Sequence, residues 1–175
     1  VVLGTAAART DRLLLSVNSS ATTDFQISAD QLDANAESTL QLTLNGQTLF
    51  TDLNCDLTAL NNPGRLTILQ SSASSVAQGT SRGTSVGTSM NDRMISGGLL
   101  LIGSSSFVFN HPENNVDSLA AEVGGNLTYS DTDRLQITQL SGGPQGLSAS
   151  GISTQDKEIL LSTESGNLDL LRRVS

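Results

Sequence analysis

The chain has few aromatic and few basic side chains, and both shortages limit what it can be. Tryptophan is absent from its 175 residues and aromatic residues make up only 3%. A core therefore has to be built from Leu, Ile, Val and Ala, which suit narrow, repetitive layers. Nine Lys and Arg stand against 17 Asp and Glu, for a formal net charge of -8. Nucleic-acid binding depends on basic side chains that neutralise phosphates, so this balance argues against a nucleic-acid partner.

The side chains that most often carry chemistry are scarce as well. Cys55 is the only cysteine, which excludes an internal disulfide and a thiol-rich metal site. We interpret it as a small buried hydrophobic residue, with pairing to another chain as the alternative. His111 is the only histidine, so any Ser/His/Asp or Cys/His arrangement would have to use it. Because Pro112 follows it in a turn-like stretch, we predict a solvated turn histidine, with catalysis as the alternative.

Long apolar runs are also missing. The longest candidate, residues 99–102, has the length of a strand, whereas a membrane-spanning helix needs roughly 18 apolar residues. We therefore expect no membrane span. The chain begins at Val1 without a basic-then-apolar leader, and the repeat pattern runs up to both ends without an evident cap. Either a leader has been removed or these residues were cut from a longer polypeptide, and we expect the second, with residues 1–175 forming one segment of that polypeptide.

The chain does contain many short apolar segments separated by turn residues. Residues 40–44 alternate Leu with Gln and Thr, which places Leu40, Leu42 and Leu44 on one face of a strand. Further strands are predicted at 13–17, 25–27, 49–53, 57–60, 66–69, 99–102, 107–109, 127–129, 135–140, 159–161 and 168–171. This pattern predicts an all-β fold.

Turn signals and one ambiguous segment complete this pattern. Glycine pairs such as Gly97-Gly98 lie between the predicted strands and supply the backbone freedom that tight corners need. Only residues 116–123 admit a short helix, and an extended conformation is at least as compatible with their flanking strands.

Two internal repeats support a repetitive architecture. Thr10-Asp11-Arg12-Leu13 recurs as Thr132-Asp133-Arg134-Leu135, each time opening a strand-like run. Gly-Thr-Ser recurs with a period of four from residue 79 within the segment 71–91, which has few large apolar residues. Such a segment buries little apolar surface, so we predict a flexible low-complexity insertion at 71–91. A phosphate-cradling or ligand loop is the alternative, although the Gly-Lys-Ser/Thr ending of such loops is missing.

The second half of the chain resembles a known type of repeat. It contains Gly-Gly-Leu-Leu-Leu-Ile-Gly-Ser-Ser-Ser-Phe-Val-Phe-Asn (97–110), Asn-Asn-Val-Asp-Ser-Leu-Ala-Ala (114–121), Gly-Asn-Leu-Thr-Tyr-Ser-Asp-Thr-Asp-Arg-Leu-Gln-Ile (125–137), Gly-Leu-Ser-Ala-Ser-Gly-Ile-Ser-Thr (146–154) and Ile-Leu-Leu-Ser-Thr-Glu-Ser-Gly-Asn-Leu-Asp-Leu (159–170). These runs resemble the repeats of very large bacterial surface proteins of the filamentous haemagglutinin and autotransporter-adhesin type. The resemblance implies right-handed parallel β-helices that are secreted and carry a binding region away from the cell, with no fixed catalytic residues. Residues 1–70 follow it loosely, and residues 71–91 depart from it.

Asp131 and Asp133 are the strongest candidates for a site. Residues two apart on a strand point to the same side, so the pair suits calcium binding through oxygen ligands or the paired carboxylates of a sugar-cleaving enzyme. The glycine-rich nonapeptide of calcium-binding β-rolls is missing. We therefore predict a solvated turn without cofactor, metal ion or catalytic residue, with calcium and catalysis as alternatives. Arg134, Arg172 and Arg173 are too few to line a groove for an acidic polysaccharide.

Together these patterns predict an all-β, right-handed parallel β-helix of roughly seven or eight rungs, with Leu135 and Ile137 also pointing inward. We expect a structural or adhesive section of a secreted or cell-surface protein, such as an adhesin, fibre or surface-layer component, and no enzyme. Expected partners are neighbouring repeats of the same chain or copies of itself, with surface carbohydrate or protein as further candidates. One alternative is a polysaccharide-active β-helix enzyme, which an aligned carboxylate groove would favour. Another is a β-sandwich binding module of a surface layer, which antiparallel strands would favour.

Overall fold

The structure of the chain is a computed structural model. It describes residues 94–142 and 146–175 in full, together with six earlier strands within which Val76 is the one described side chain. None of the described residues forms a helix that is long and apolar enough to cross a bilayer.

All regular structure in the described part of the chain is β-strand, as predicted. The strands are β1 (Arg12–Asn18), β2 (Thr23–Ile27), β3 (Thr39–Asn45), β4 (Phe50–Asp56), β5 (Leu66–Ser71), β6 (Ser75–Ala77), β7 (Met94–Gly103), β8 (Ser106–Phe109), β9 (Asn115–Val123), β10 (Leu127–Asp131), β11 (Leu135–Ile137), β12 (Gln139–Gly142), β13 (Leu147–Ser150), β14 (Ile152–Ser153), β15 (Ile159–Thr163) and β16 (Leu168–Leu170). The segment left open between helix and strand is extended as β9. The predicted strand at 57–60 lies outside the described residues.

The described strands form two parallel ladders between which the chain alternates. The first ladder contains β1, β3, β5, β7, β9, then β11 and β14, and finally β16. The second contains β2, β4, β6, β8, β10 and β15. The two ladders are joined into one sheet where β4 pairs with the start of β7. Among the described strands, only β12 and β13 pair antiparallel. This parallel pairing disfavours the β-sandwich alternative, whose strands would pair antiparallel.

Successive strands of the first ladder are in register, so that their residues form columns. The first column is Leu13, Leu40, Thr67, Leu99, Leu119, Ile137 and Leu170. The second column is Leu15, Leu42, Leu69, Leu101, Ala121, Ile152 and Val174. We call each position along a column a level. Parallel strands at neighbouring levels lie about 4.8 Å apart.

One apolar cluster fills the space inside the described levels. Its largest members are Phe107, Phe109 and Tyr129, and it also contains Leu99, Leu101, Leu119, Leu135, Ile137 and Ile152. Burial alternates along the strands, as in β10, where Leu127, Tyr129 and Asp131 are buried and the residues between them are not. The inward positions predicted for Leu135 and Ile137 are confirmed by their complete burial. The side chains of Leu40, Leu42 and Leu44 lie outside the described part.

A hairpin formed by β12 and β13 interrupts one level and covers the outer face of the first ladder. Leu140, Leu147 and Ala149 of the hairpin pack against Leu100, Ala120 and Ile102 of β7 and β9. The single strand predicted at 135–140 is therefore wrong, because the chain leaves the ladder after Ile137 and returns at Ile152. Gly151 closes the base of the hairpin, donating its N–H to the Thr138 carbonyl at 2.8 Å. Its φ of 81° and the adjacent carbonyl of Arg173 leave no room for a Cβ atom.

Two sequence expectations fail in this part of the fold. Gly97 and Gly98 lie inside β7 rather than in a turn. At this point β7 stops pairing with β4 and begins to pair with β5, and glycine allows the strand to change partners. The segment 71–91 is not entirely an insertion either, because β6 pairs with β8 and the Val76 side chain is 0% exposed. Residues 78–91 lie outside the described part.

Candidate functional site

The polar residues that the fold brings together lie at the turn that follows β10. We call Asn114, Tyr129 and Asp131 the buried polar cluster, because none of them is more than 1% exposed. Tyr129 and Asp131 are two apart on β10, so both point into the core. Asn114 immediately precedes β9 and approaches them from the turn between β8 and β9.

Both oxygens of the Asp131 carboxylate accept hydrogen bonds. Oδ2 accepts from the backbone N–H of Val116 at 2.9 Å and from the Tyr129 hydroxyl at 2.8 Å. Oδ1 accepts from the backbone N–H of Asp133 at 3.1 Å, which closes an Asx-type turn. The carboxylate thus joins the end of β10 to the start of β9 and shapes the corner between them.

Burial sets the ionisation of this cluster. It raises the pKa of Asp131 above its ordinary value, although the hydrogen bonds from Tyr129, Asp133 and Val116 act in the opposite direction. Burial, and next the charge of Asp131, raise the pKa of the Tyr129 phenol well above 10.0. The phenol therefore keeps its proton and serves as a donor to the carboxylate.

Asn114 connects three segments of the chain through its side-chain amide. Oδ1 accepts from the Met94 N–H at 2.8 Å. Nδ2 donates to the carbonyls of Phe109 and Ser130 at 3.3 and 3.1 Å. Met94 begins β7, Phe109 ends β8 and Ser130 is the second-last residue of β10. The buried amide thus supplies hydrogen bonds to backbone groups at or near the ends of three strands.

The prediction that the side chains of Asp131 and Asp133 lie on the same solvated side is wrong. Asp131 is 1% exposed, whereas Asp133 is exposed and its Oδ2 accepts from Asn115 Nδ2 at 3.5 Å. The reason is that β10 ends at Asp131 and the strand alternation ends with it. Since donors occupy both oxygens of Asp131 and its side chain is inside, this carboxylate cannot contact a polysaccharide in a groove. The described residues contain no group of three or more His, Cys, Asp or Glu side chains suited to a metal ion.

His111 lies in a turn, as predicted, but its side chain is buried rather than solvated. It is 4% exposed, and its Nδ1 accepts the Glu113 N–H at 3.1 Å. The carbonyl of His111 also accepts the Asn114 N–H at 3.2 Å. The imidazole therefore takes part in closing the turn that positions Asn114, a role that a single sequence does not reveal.

The turns at neighbouring levels are connected by hydrogen bonds. At one corner the Ser106 hydroxyl accepts the Asn126 N–H at 3.1 Å, and Asn126 Oδ1 accepts the Glu158 N–H at 3.3 Å. At the opposite corner the Asp131 carbonyl accepts the Glu164 N–H at 2.8 Å. These bonds continue the register of the strands through the corners.

The remaining candidates from the sequence are separate from this cluster. Arg134 Nε donates to Asp169 Oδ2 at 2.7 Å, an exposed ion pair between neighbouring levels, which contributes little stability. Arg172 and Arg173 are exposed near the end of the first ladder. Cys55 lies in β4 in register with Met94, and its side chain lies outside the described part.

The sequence analysis missed Asn114 and Tyr129 as members of a polar cluster. The signal for Tyr129 was present, because it alternates with Leu127 on a predicted strand. Nothing in the sequence distinguishes Asn114 from the partly exposed Asn115 beside it. The cluster presents no exposed nucleophile, acid or base, and its geometry is that of a structural corner. We found no match for the chain among protein-family models, curated proteins or solved structures.

Proposed function

We propose that this chain is a section of a right-handed parallel β-helix that serves a structural or adhesive role in a secreted or cell-surface protein. The proposal depends chiefly on one observation: the chain alternates between two parallel ladders, and the columns of the first remain in register over seven levels. A coil that places one strand in each ladder per turn accounts for both facts. Connections between parallel strands of one sheet are right-handed in about 98% of cases, which supports the handedness.

The arrangement of the core favours a scaffold over an enzyme. In a stack of this kind each level contacts only its neighbours, so that stability increases by one interface with every added level. Such a molecule can be lengthened without redesign, which is what a spacer or fibre requires. Asp131 lies in the core and Asp133 on the surface, so these two carboxylates do not form the aligned pair that would favour a polysaccharide-active enzyme.

The coil can be tested with cysteine pairs that link both ladders in one chain. In a Cys55→Ser background, Val108→Cys with Thr128→Cys joins β8 to β10, and Ser118→Cys with Gln136→Cys joins β9 to β11. Register partners in neighbouring strands lie within the Cα separation that a disulfide spans. We expect both disulfides to form together in one chain under mild oxidation, as seen by mass spectrometry after digestion.

A mismatched pair is the control for this experiment. Val108→Cys with Ser130→Cys shifts one partner by two residues along β10, beyond the reach of a disulfide. If the matched and mismatched pairs oxidise equally well, or if the two matched disulfides exclude each other, the coil is wrong.

The cellular location needs a separate test. Antibodies raised against the chain should stain intact cells of the source organism, and brief protease treatment of those cells should remove the signal. A cytoplasmic protein that is stained only after permeabilisation is the control. Staining that requires permeabilisation for both proteins would contradict the proposed surface location.

A further inference from the structure

One turn in the described part of the chain carries the acceptor sequence for an N-linked sugar. Asn126-Leu127-Thr128 fits the pattern Asn-x-Ser/Thr, in which x is any residue except proline. It is the only sequence of this type within residues 94–142 and 146–175. Acceptors of this type lie in surface loops of secreted proteins. The turn therefore has to present both the asparagine amide and the threonine hydroxyl to the outside.

Asn126 and Thr128 lie on the outer side of the chain. Asn126 is exposed in the turn between β9 and β10, Leu127 is 0% exposed, and Thr128 is partly exposed. Residues two apart on an extended chain point to the same side. The burial of Leu127 therefore places its two neighbours outward together, so that the amide and the hydroxyl face the same region of solvent.

The hydrogen bonds of Asn126 leave its amide nitrogen available. Its backbone N–H donates to Ser106 Oγ at 3.1 Å, and its Oδ1 accepts the Glu158 N–H at 3.3 Å. Since the amide oxygen accepts from an N–H and the amide nitrogen does not, the second bond determines which side-chain atom is Nδ2. Within the described part of the chain, no acceptor binds this Nδ2. The nitrogen is the atom to which a sugar is joined.

Two other asparagines of the same levels use their amide nitrogens within the fold. Asn114 is fully buried, and its Nδ2 donates to two backbone carbonyls. Asn115 Nδ2 donates to Asp133 Oδ2 at 3.5 Å. Neither residue is followed two positions later by Ser or Thr. The available nitrogen and the acceptor sequence thus occur together at Asn126.

A sugar on this nitrogen is compatible with the hydrogen bonds of the corner. An N-glycosidic bond replaces one hydrogen of Nδ2 and leaves the amide carbonyl intact, so Oδ1 can still accept the Glu158 N–H. The Phe107 N–H donates to the Asn126 carbonyl at 2.8 Å, and the Leu127 N–H donates to the Glu158 carbonyl at 2.9 Å. Neither of these bonds involves the side chain. The contacts that join this turn to the neighbouring levels therefore remain after modification.

We propose that Asn126 is a site of N-linked glycosylation. Nδ2 forms a bond to the anomeric carbon of an activated sugar, the bond from that carbon to a diphosphate leaving group breaks, and Nδ2 loses one proton. No atom is oxidised or reduced. The donor is a nucleoside diphosphate sugar or a lipid-linked oligosaccharide diphosphate, which share this leaving group. The inference rests on the proposed secreted or cell-surface role, because Asn-x-Ser/Thr is an acceptor in secreted proteins.

Peptide mapping of the protein isolated from its source organism tests the site. Trypsin cuts after Arg93 and Arg134, which places Asn126 in peptide 94–134, whereas the acceptor-like Asn18-Ser19-Ser20 lies in another peptide. We expect peptide 94–134 to carry added sugar mass, assigned to Asn126 by electron-transfer fragmentation. Forms that differ by single sugars would indicate nucleotide-linked donors, and one preassembled oligosaccharide would indicate a lipid-linked donor.

Matched variants expressed in the same organism test the sequence requirement. Thr128→Ser keeps the acceptor sequence and should keep the sugar. Thr128→Val has nearly the same shape as the parent residue but lacks the hydroxyl, and it should lower the modified fraction of peptide 94–134 at least about tenfold. Asn126→Gln should abolish the modification. Circular dichroism of the purified variants checks that they fold alike.

Three results would overturn the proposal. They are an unmodified peptide 94–134 from protein that is stained on intact cells, a modification that persists in Thr128→Val, and a sugar on a Ser or Thr hydroxyl of this peptide instead of Asn126. The staining described above is a separate measurement. A glycosylated chain that resides inside the cell would contradict the proposed location alone, an unmodified chain on the surface would contradict the glycosylation alone, and an unmodified chain inside the cell would contradict both.

Discussion

At Asp131, burial and hydrogen bonding act in opposite directions on the same carboxyl group. Burial dominates, and the pKa of Asp131 is raised in the folded state. A raised folded pKa means that folding favours the protonated form. The contribution of this group to the free energy of unfolding is therefore fully present below the unfolded pKa of about 3.9 and is lost as pH rises through the folded pKa.

Asp131→Asn should reveal this dependence, because an amide is neutral at every pH while its oxygen can still accept the Val116 N–H. We expect the free energy of unfolding of the parent chain, minus that of Asp131→Asn, to be largest near pH 4 and to fall towards pH 7. Urea titrations of both chains at several pH values measure the difference, in which groups common to both chains cancel. A difference that is constant, or that increases with pH, would contradict the assigned direction.

The burial of Asp131, Asn114 and His111 could not be predicted from the sequence. His111 adjoins Pro112, and Asn114 and Asp131 lie among other short polar residues, which is the local signature of solvated turns. Whether a turn is covered depends on the next level, which comes about 20 residues later in the chain. The inward positions of Leu135 and Ile137 could be predicted because strand alternation is a local property.

At the scale of the element, the hairpin explains why the sequence of β9 did not distinguish a helix from a strand. Val116, Leu119, Ala121 and Val123 belong to the inner cluster, while Ala120 is buried on the opposite face beneath the hairpin. Apolar residues at 116, 119, 120 and 123 also fit one face of a helix. The two-sided burial of the strand gave it a pattern that alternation alone does not produce. Strands buried on one face, such as β10, were predicted correctly.

The hairpin makes an outward leucine part of a core. Leu100 is fully buried under it, whereas Leu160 points outward on β15 and is 56% exposed. We expect Leu100→Ala to lower the free energy of unfolding by about 2–4 kcal/mol and Leu160→Ala to change it by less than about 0.5 kcal/mol. Denaturant unfolding of both variants checks the comparison. Similar small effects would mean that the hairpin does not seal the outer face.

At the scale of the whole molecule, stability should depend on position along the stack. The Ala121 N–H donates to the Gly151 carbonyl at 2.9 Å inside the stack, and the Leu171 N–H donates to the Ile137 carbonyl at 2.9 Å at the last described level. The two hydrogen bonds have the same length, but the levels around them differ. Since each level is supported only by those beside it, the last level of residues 1–175 studied as an isolated chain opens at a lower free energy.

Amide hydrogen exchange measured on dilute, monomeric chain should show this gradient. We expect the Ala121 amide to exchange at least about tenfold more slowly than the Leu171 amide, with intermediate rates at the level of β11 and β14 between them. Leu170→Lys should leave the Ala121 rate unchanged, because the register places Leu170 two levels away from β9. Equal protection of both amides would indicate that the described levels unfold as one cooperative unit.

The hairpin also bears on how such a chain can change over generations. Ile137 lies above Leu119 in the first column and Ile152 lies above Ala121 in the second, so the chain leaves the ladder for the β12–β13 hairpin and returns to it without a shift in register. A lineage could therefore gain, lose or exchange the hairpin while inheriting the levels on either side unaltered. Variation would accumulate on the outer surface, and the frame beneath it would be conserved.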